Sequence, residues 1–323
     1  MNREGTLHGL TRVGRQRWMM PFAGALVLWL VAAAITGTVS LRLLLLNATL
    51  ATFLTLAGIA QMAVIASGPG SFDLSIPYVI VLSAFVASAV MHASNAMIVP
   101  GILAGLGVGA VAGLLNGLLV IGPRIPPIVA TLSIGYILFT PAVQLQGAAA
   151  AGPSPAVVNL MHRQLDGASP VLAITLFICV IVAFVFGRTI FGKQLHAVGQ
   201  NREAAALAGV RINRVIIGVY VVSGLLGACT GILLAAYNAG AFIGMGDVYL
   251  LGSLAAIVLG GTPVSGGVSS IIGTAIGALV ITLLITVLQL SKLGAGWQNI
   301  LEGLVVIVVV TVTSLRGRFS SDV

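Results

Sequence analysis

The sequence predicts an all-α polytopic membrane protein with about ten transmembrane helices. Of its 323 residues, 59% are apolar and only 7% are charged, whereas about a quarter of the residues of a soluble domain are charged. The apolar runs are long enough to cross a bilayer, which takes about 20 residues of helix. The net charge of +8 does not indicate nucleic-acid binding, because the basic residues are dispersed between apolar runs.

Hydropathy places the spans in order along one transmembrane domain, residues 18–315, between tails at residues 1–17 and 316–323. The first span is expected to be retained, because no small-residue cleavage site follows it. The ten predicted spans are 18–37, 47–68, 75–93, 96–121, 126–147, 169–187, 214–238, 247–262, 269–290 and 297–315.

The distribution of basic residues predicts the orientation of these spans. With the N-terminus in the cytoplasm, twelve of the fifteen Lys and Arg residues fall inside, and only Arg42, Arg163 and Lys292 fall outside. Cytoplasmic loops carry an excess of Lys and Arg. We therefore expect both termini and the loop 188–213 to be cytoplasmic.

Two segments are expected on the outer side. Residues 147–169 are rich in Pro, Gly and Ala, which predicts an irregular cap with a short helix at residues 156–163. Residues 240–246 form the other outer loop. Each either faces an extracellular partner or serves only as a connector.

A glycine ladder runs along the fourth span. Glycine recurs at every fourth position, which places five glycines on one helix face, where another backbone can approach closely. The sequence predicts a helix-packing role for Gly101, Gly105, Gly109, Gly113 and Gly117.

The two halves of the chain resemble each other. Residues 71–82 and 246–259 each begin a span with an acid, and each is followed by a glycine-rich span. Because the paired spans are predicted to run in opposite directions, the pattern favours an inverted-repeat core, as in many transporters.

Two segments, residues 67–77 and 259–267, have the Gly and Pro content of interrupted helices. Broken backbone at membrane depth is tolerated only where protein buries it or it lines a polar cavity. The alternative is that both are ordinary loops outside the bilayer. On the first interpretation the candidate path or gate residues are Asp73, Ser75, Gly260, Gly261 and Thr262.

Glu302 is the one acid predicted well inside a span, which makes it a further candidate path or gate residue. It would bind a solute hydroxyl, pair with a basic residue of a partner, or lie near Lys292 at the outer interface. Asp247 is expected to cap its helix. The sequence shows neither metal-ligand spacing nor a nucleophile–base pair, so it predicts no metal, no cofactor and no enzyme activity.

Residues 193–209, KQLHAVGQNREAAALAG, form a charged, alanine-rich segment between apolar spans. Asn201 is a good N-cap, and Glu203 suits the positive end of the helix that follows. The alanines form helix readily and have little bulk, which suits a helix seated in a groove. The alternative is a helix held only by anionic lipid.

Four blocks of the sequence resemble the permease subunits of bacterial ABC importers for ribose and related sugars. They are IASGPGSFDLS at residues 65–75, IVATL at residues 128–132, FGKQLHAVGQNREAAALAGVRIN at residues 191–213 and AAIVLGGTPVSGGVSSIIGTAIG at residues 255–277. This family also includes autoinducer-2 and branched-chain amino-acid relatives. The first block departs from the family pattern through an apparent insertion at residues 69–71 and through Pro77, which suggests one member of an unequal permease pair.

The resemblance implies a permease of the bacterial inner membrane that forms the path for a monosaccharide, ribose-like, or a similar small polar solute. Its partners would be a periplasmic solute-binding protein, a second permease copy, identical or related, a cytoplasmic ATPase and membrane lipid. The coupling helix to the ATPase would comprise Asn201, Arg202, Glu203, Ala204, Ala205, Ala206, Leu207, Ala208 and Gly209.

Two other classes of function remain open at this point. An ion-coupled secondary transporter would need acids or histidines inside its spans, where only Glu302 fits comfortably. A membrane-embedded enzyme would need clustered polar residues in a shared cavity, and the sequence shows none.

Overall fold

The computed structural model describes residues 19–163 and 168–291, together with residues 296, 297, 300, 303 and 304. Within these residues the regular elements are helices, and no β-strand occurs among them. In chain order the helices are α1 (Met19–Thr36), α2 (Leu41–Ala66), α3 (Ile76–Met91), α4 (Ile98–Ile121), α5 (Pro127–Gln144), α6 (Pro155–His162), α7 (Pro170–Arg188), α8 (Ile190–Gln200), α9 (Arg202–Leu207), α10 (Ile212–Tyr237), α11 (Val248–Leu259) and α12 (Ile271–Leu290).

Nine predicted spans coincide with apolar helices, and the short helix predicted at residues 156–163 is present as α6. Among the described residues, six helices are long and apolar enough to cross a membrane: α2, α4, α5, α7, α10 and α12. The apolar helices α1, α3 and α11 are shorter. Most of the tenth span, including Glu302, lies outside the described residues. The count of ten, the inverted repeat and the cytoplasmic termini stay predictions.

The second span begins earlier than hydropathy indicated. Its helix starts at Leu41 rather than near residue 47, because the Ser40 hydroxyl accepts a hydrogen bond of 3.2 Å from the Leu43 amide. This cap satisfies one of the free amides of the first turn. A polar cap therefore fixes the start of α2 at a residue that averaged hydropathy does not detect.

Helix α10 lies at the centre of the bundle and packs against α2, α3 and α4. The close approach of α4 depends on its glycine ladder. A Cβ at Gly109 would overlap the Gly224 carbonyl oxygen, and one at Gly113 would overlap that of Tyr220. Gly117 and Gly105 also face α10, and Gly101 faces Met91 of α3.

A second group of helices forms around α12, which packs against α1, α2 and α11. Small residues again permit close contact. A Cβ at Gly277 would overlap the Ala256 carbonyl oxygen, and Gly260 and Gly273 oppose each other directly. Helix α2 contacts both α10 and α12, and it therefore joins the two halves of the molecule.

Helices α3 and α11 are 16 and 12 residues long. At 1.5 Å per residue they span about 24 and 18 Å, less than the ~30 Å of a hydrocarbon core. Each adjoins one of the two interrupted segments, because α3 follows residues 67–75 and α11 precedes residues 260–270. Both segments are non-helical, as the sequence predicted.

Candidate functional site

The segment after α7 folds as two short helices that share one capping residue. Thr189 caps α8 by accepting a hydrogen bond from the Gly192 amide. Asn201 ends α8 and begins α9: its backbone N–H donates to the Ala197 carbonyl, and its side chain accepts a hydrogen bond of 3.0 Å from the Ala204 amide. The predicted N-cap is confirmed, and it turns the chain sharply between the two helices.

Helix α9 ends in a motif that requires a residue in the left-handed backbone conformation. Gly209 has φ +80°, its N–H donates to the Ala206 carbonyl, and the Val210 N–H donates to the Ala205 carbonyl. This pair of bonds is a Schellman motif, which satisfies the last carbonyls of a helix. Caps at both ends therefore hold α9, although it has only six residues.

One alanine of α9 does not face outward. The alanines were expected to suit a groove of a partner, but Ala205 is 4% exposed and packs against the rest of the protein. Leu207 is instead 91% exposed. The remaining exposed positions of the predicted coupling helix are Asn201, Arg202, Glu203, Ala204, Ala206, Ala208 and Gly209.

The end of α8 touches both interrupted segments through glycine. A Cβ at Gly199 would overlap the Ala66 carbonyl oxygen at the end of α2 and would stand 2.8 Å from the Gly267 nitrogen. The Gly267 N–H also donates to the Ala66 carbonyl at 3.1 Å. We call Ala66, Gly68, Gly199, Gly266 and Gly267 the glycine junction.

Side chains reinforce this junction. The Arg202 guanidinium lies over Gly68, since a Cβ there would be 3.7 Å from its Nε. The Gln200 amide donates to the Gly267 carbonyl at 3.4 Å, and His196 Nε2 lies 2.9 Å from Ser269 Oγ. The end of α8 and the start of α9 therefore contact both interrupted segments.

The second interrupted segment begins with a second Schellman motif. Gly261 has φ +82°, its N–H donates to the Val258 carbonyl, and the Thr262 N–H donates to the Ile257 carbonyl. The Thr262 hydroxyl is buried, with no hydrogen-bond partner in the described part of the chain. Backbone geometry and glycine contacts hold this turn, and its one buried hydroxyl contributes nothing to it.

The first interrupted segment is held by a buried polar network around Asp73, which is 2% exposed. Its carboxylate accepts from the Ser75 amide at 3.0 Å, from the Ser75 hydroxyl at 2.5 Å and from the Ser223 hydroxyl at 2.7 Å. Asn116 donates to the Ser75 hydroxyl at 2.7 Å. The network joins the segment to α4 and α10.

Two further bonds fix the same segment. The Leu74 amide donates to the Thr131 hydroxyl of α5 at 3.0 Å, and the Tyr220 hydroxyl donates to the Phe72 carbonyl at 3.4 Å. Asp73 forms no salt bridge with the residues that the structure describes, so its partners are two hydroxyls and one amide. The segment is therefore not an ordinary exposed loop, since Ser71, Asp73 and Ser75 are all buried.

Sequence analysis did not find the partners of Asp73. Asn116, Thr131 and Ser223 lie 41 to 150 residues from the groups that they bind. Asn116 is the single polar residue of α4, and that isolation could have marked it, because a lone buried polar group must find a partner. Thr131 and Ser223 share their helices with other polar residues and carry no such signal.

The prediction for Asp247 was wrong. Asp247 adopts helical backbone angles, φ −61° and ψ −40°, and its side chain makes no capping hydrogen bond. A capping side chain needs an extended backbone to reach back to the N2 or N3 amide. The carboxylate is instead exposed at the start of α11.

Comparison with known proteins places these features in a family. Residues 43–310 match the family model described as the branched-chain amino acid transport system / permease component. The chain belongs to this family. It is a multi-pass permease of the inner membrane.

Curated relatives agree with the family match. The chain is 36% identical over 214 residues to the autoinducer 2 import system permease protein LsrC of Enterobacter sp. (strain 638). The aligned region covers 66% of this chain and 62% of LsrC. It is 30% identical over 306 residues to LsrD of the same import system in Escherichia coli (strain K12), which covers 92% of both. The chain thus matches less than two thirds of the length of LsrC. Both relatives are named as permease proteins and neither as an enzyme.

Proposed function

We propose that this permease forms the translocation path of an ABC importer for a small sugar-like solute, with autoinducer 2 as the leading candidate and ribose as the alternative. A periplasmic binding protein delivers the solute, a second permease completes the path, and a cytoplasmic ATPase drives it. The names of the relatives support the solute class. Membership of the permease family supports the partners.

The observation that carries this proposal is that exposed Leu207 lies on α9, directly after the helix that contacts the glycine junction. An apolar side chain that is 91% exposed on a short polar helix is typical of a contact for another protein, since burial of a leucine is worth about 1.5–3 kcal/mol. Leu207 is therefore proposed to enter a groove of the ATPase, with Arg202 and Glu203 at its rim.

The path and gate roles follow from the same geometry. Gly199 of α8 lies against the ends of both interrupted segments. A shift of α9 would move residues 260–262 relative to Asp73 and Ser75, which α4 and α10 hold in place. These five residues are proposed to form the cytoplasmic gate.

Uptake of labelled autoinducer 2 and of ribose into proteoliposomes tests the proposal, with the permease, its ATPase and its binding protein reconstituted together. We expect uptake to require ATP and the binding protein and to persist with a proton uncoupler. Uptake that needs no ATP and is abolished by the uncoupler would instead identify an ion-coupled secondary transporter.

Leu207→Asp tests the coupling role of α9. It should leave the permease folded and in the membrane, but should abolish both ATPase co-purification and uptake, because it puts a charge into an apolar groove. Val39→Asp is the matched control, since Val39 is 70% exposed in the loop before α2. Normal ATPase binding by Leu207→Asp would contradict the assignment of α9.

A further inference from the structure

An aromatic cluster joins α3 to α5 beside the start of α11. Tyr78, in the first turn of α3, lies with its ring centroid 5.5 Å from that of Tyr136 and 6.2 Å from that of Phe139. Gly135 makes this contact possible, because a Cβ there would overlap the Tyr78 ring. Tyr136 is itself 60% exposed, so the cluster forms part of the molecular surface.

The cluster lies at membrane depth. Tyr136 is the tenth of the 18 residues of α5 (Pro127–Gln144), which places it about 14 Å from the start of that helix. A membrane-spanning α5 therefore carries Tyr136 near the middle of the hydrocarbon layer. Tyr78 lies at the same depth, because its ring packs on α5.

Asp247 lies beside this cluster. Gly246 packs so closely on the Pro77 carbonyl that no Cβ fits between them, and the Asp247 carboxylate interacts electrostatically with Tyr78. The carboxylate is exposed and makes no hydrogen bond with the part of the chain that the structure describes.

A carboxylate at this depth does not face lipid. Charged side chains inside the bilayer are costly, and they turn toward a water-filled cavity or pair with another group. The outward surfaces of α5 and α7 are otherwise apolar, with residues such as Ile137, Phe177 and Phe184 more than 60% exposed. Asp247 is thus an acid on an otherwise apolar surface, since Val248 and Leu251 of the same helix are 61% and 54% exposed.

We propose that Asp247, Tyr78 and Tyr136 form a solute-contact site on the translocation path, and that the site takes a neutral polyhydroxylated small molecule. The inference rests on the proposed function and names the residues that meet the solute. The carboxylate accepts hydrogen bonds from solute hydroxyls, and the phenols both donate and accept. The aromatic faces stack against the apolar C–H face of such a molecule. A neutral solute adds no second charge to the one acid of this three-residue site.

The first experiment measures whether the site faces water, and it does not require the solute to be known. Asp247→Cys is made in a Cys179→Ala/Cys229→Ala background, and the assembled transporter is treated with a membrane-impermeant cationic methanethiosulfonate. We expect modification of Asp247→Cys, and slower modification in the presence of autoinducer 2 or ribose. A cysteine at Phe177, which is 66% exposed on the apolar surface of α7, should not react.

Two results of this experiment would overturn the site. A lack of modification at Asp247→Cys would show that the carboxylate does not face water. A rapid disulfide between two copies of the Asp247→Cys variant would show that the acid faces the second permease rather than the solute.

The second experiment measures the KM for uptake of autoinducer 2 or ribose in the reconstituted transporter. Asp247→Asn should raise the KM about tenfold and Tyr136→Phe about threefold, because a hydrogen bond to a charged group is stronger than one between neutral groups. ATPase co-purification should not change. Arg42→Gln, which removes an exposed charge at the start of α2, should keep the wild-type KM.

The two proposals fail in different ways. An unchanged KM in Asp247→Asn, with ATP-driven uptake intact, would refute the site and leave the importer standing. A wild-type protein that lacks ATP-driven uptake would refute the importer. In that case the labelling of Asp247→Cys, and its disulfide formation, would by themselves show whether this surface faces a water-filled path.

Discussion

The two interrupted segments each adjoin a short helix, but different interactions hold them in place. Residues 67–75 are fixed by side chains, since Asp73, Ser75 and their partners on α4, α5 and α10 form a buried network. Residues 260–270 are fixed mainly by backbone: a Schellman turn, a bond to Ala66 and close contact between glycines. The first segment therefore belongs to the rigid bundle, and the second follows α8 and α2.

This difference indicates how motion would pass through the permease. A buried hydrogen-bond network specifies one arrangement, because each broken bond leaves a polar group unpaired in a medium of low dielectric constant. In this network the Asn116 Oδ1 is the atom that lacks a partner among the described residues. The second segment has fewer side-chain bonds, from Gln200 and His196 of α8, and its glycine contacts carry no such penalty for sliding. We expect the second segment to move and the first to provide the fixed surface against which it closes.

The largest expected effect is at the centre of the network. Asp73→Ala removes the acceptor for the Ser75 amide and for two hydroxyls, and should destabilise the permease by about 3 kcal/mol, since each unpaired buried group costs about 1–3 kcal/mol. Thermal unfolding of the purified protein in detergent measures this. Asp73→Asn keeps one acceptor oxygen and should lose less. Equal unfolding temperatures for Asp73→Ala and wild type would show that the network does not hold the segment.

The second largest effect is expected at the contact between α11 and α12. A Cβ at Gly273 would overlap the Gly260 carbonyl oxygen, so Gly273→Ala should cost about 2 kcal/mol through forced separation of two backbones. Gly107→Ala is the control, because no atom lies within 4 Å of a Cβ at that position, and alanine favours helix. The same unfolding measurement should separate the two variants; matching curves would mean that α11 and α12 separate freely.

A smaller effect is expected at the turn after α11. Gly261 has φ +82°, and an L-residue in this left-handed region costs about 1–2 kcal/mol. Gly261→Ala should therefore cost about 1 kcal/mol, and it should also slow uptake if this turn moves during transport. Gly240→Ala is the control, since Gly240 has open space at its Cβ and no positive φ. Uptake by Gly261→Ala at the wild-type rate would argue that the turn does not move.

Much of the fold could be read from the sequence, because apolar length and glycine spacing are local signals. The spans, the short helix α6 and the Asn201 cap all follow from residues close in sequence. The partners of Asp73 do not: the bond between Ser223 and Asp73 joins residues 150 apart, and no local pattern records which spans become neighbours.

The two differences at the candidate site have the same origin. Ala205 is buried because α9 lies against the bundle, and a helix of six residues is too short for periodicity to reveal which face is covered. Asp247 does not cap α11 because the chain is already helical at that residue, packed against Pro77. In both cases a tertiary contact overrides the local preference, which is exposure for Ala205 and capping for Asp247.

The smallest expected effect makes the sharpest comparison, because the same substitution can be made in both segments. The Thr131 hydroxyl accepts a hydrogen bond from Leu74, whereas the Thr262 hydroxyl has no partner in the described part of the chain. Thr131→Val should cost about 0.5–1 kcal/mol, because it leaves a half-buried amide without its partner. Thr262→Val should be neutral or slightly stabilising, because it replaces an unpaired hydroxyl by a methyl group of the same shape. Thermal unfolding of both variants decides the matter. An equal loss in the two would show that the Thr262 hydroxyl is bonded after all, and that side chains hold the second segment as firmly as the first.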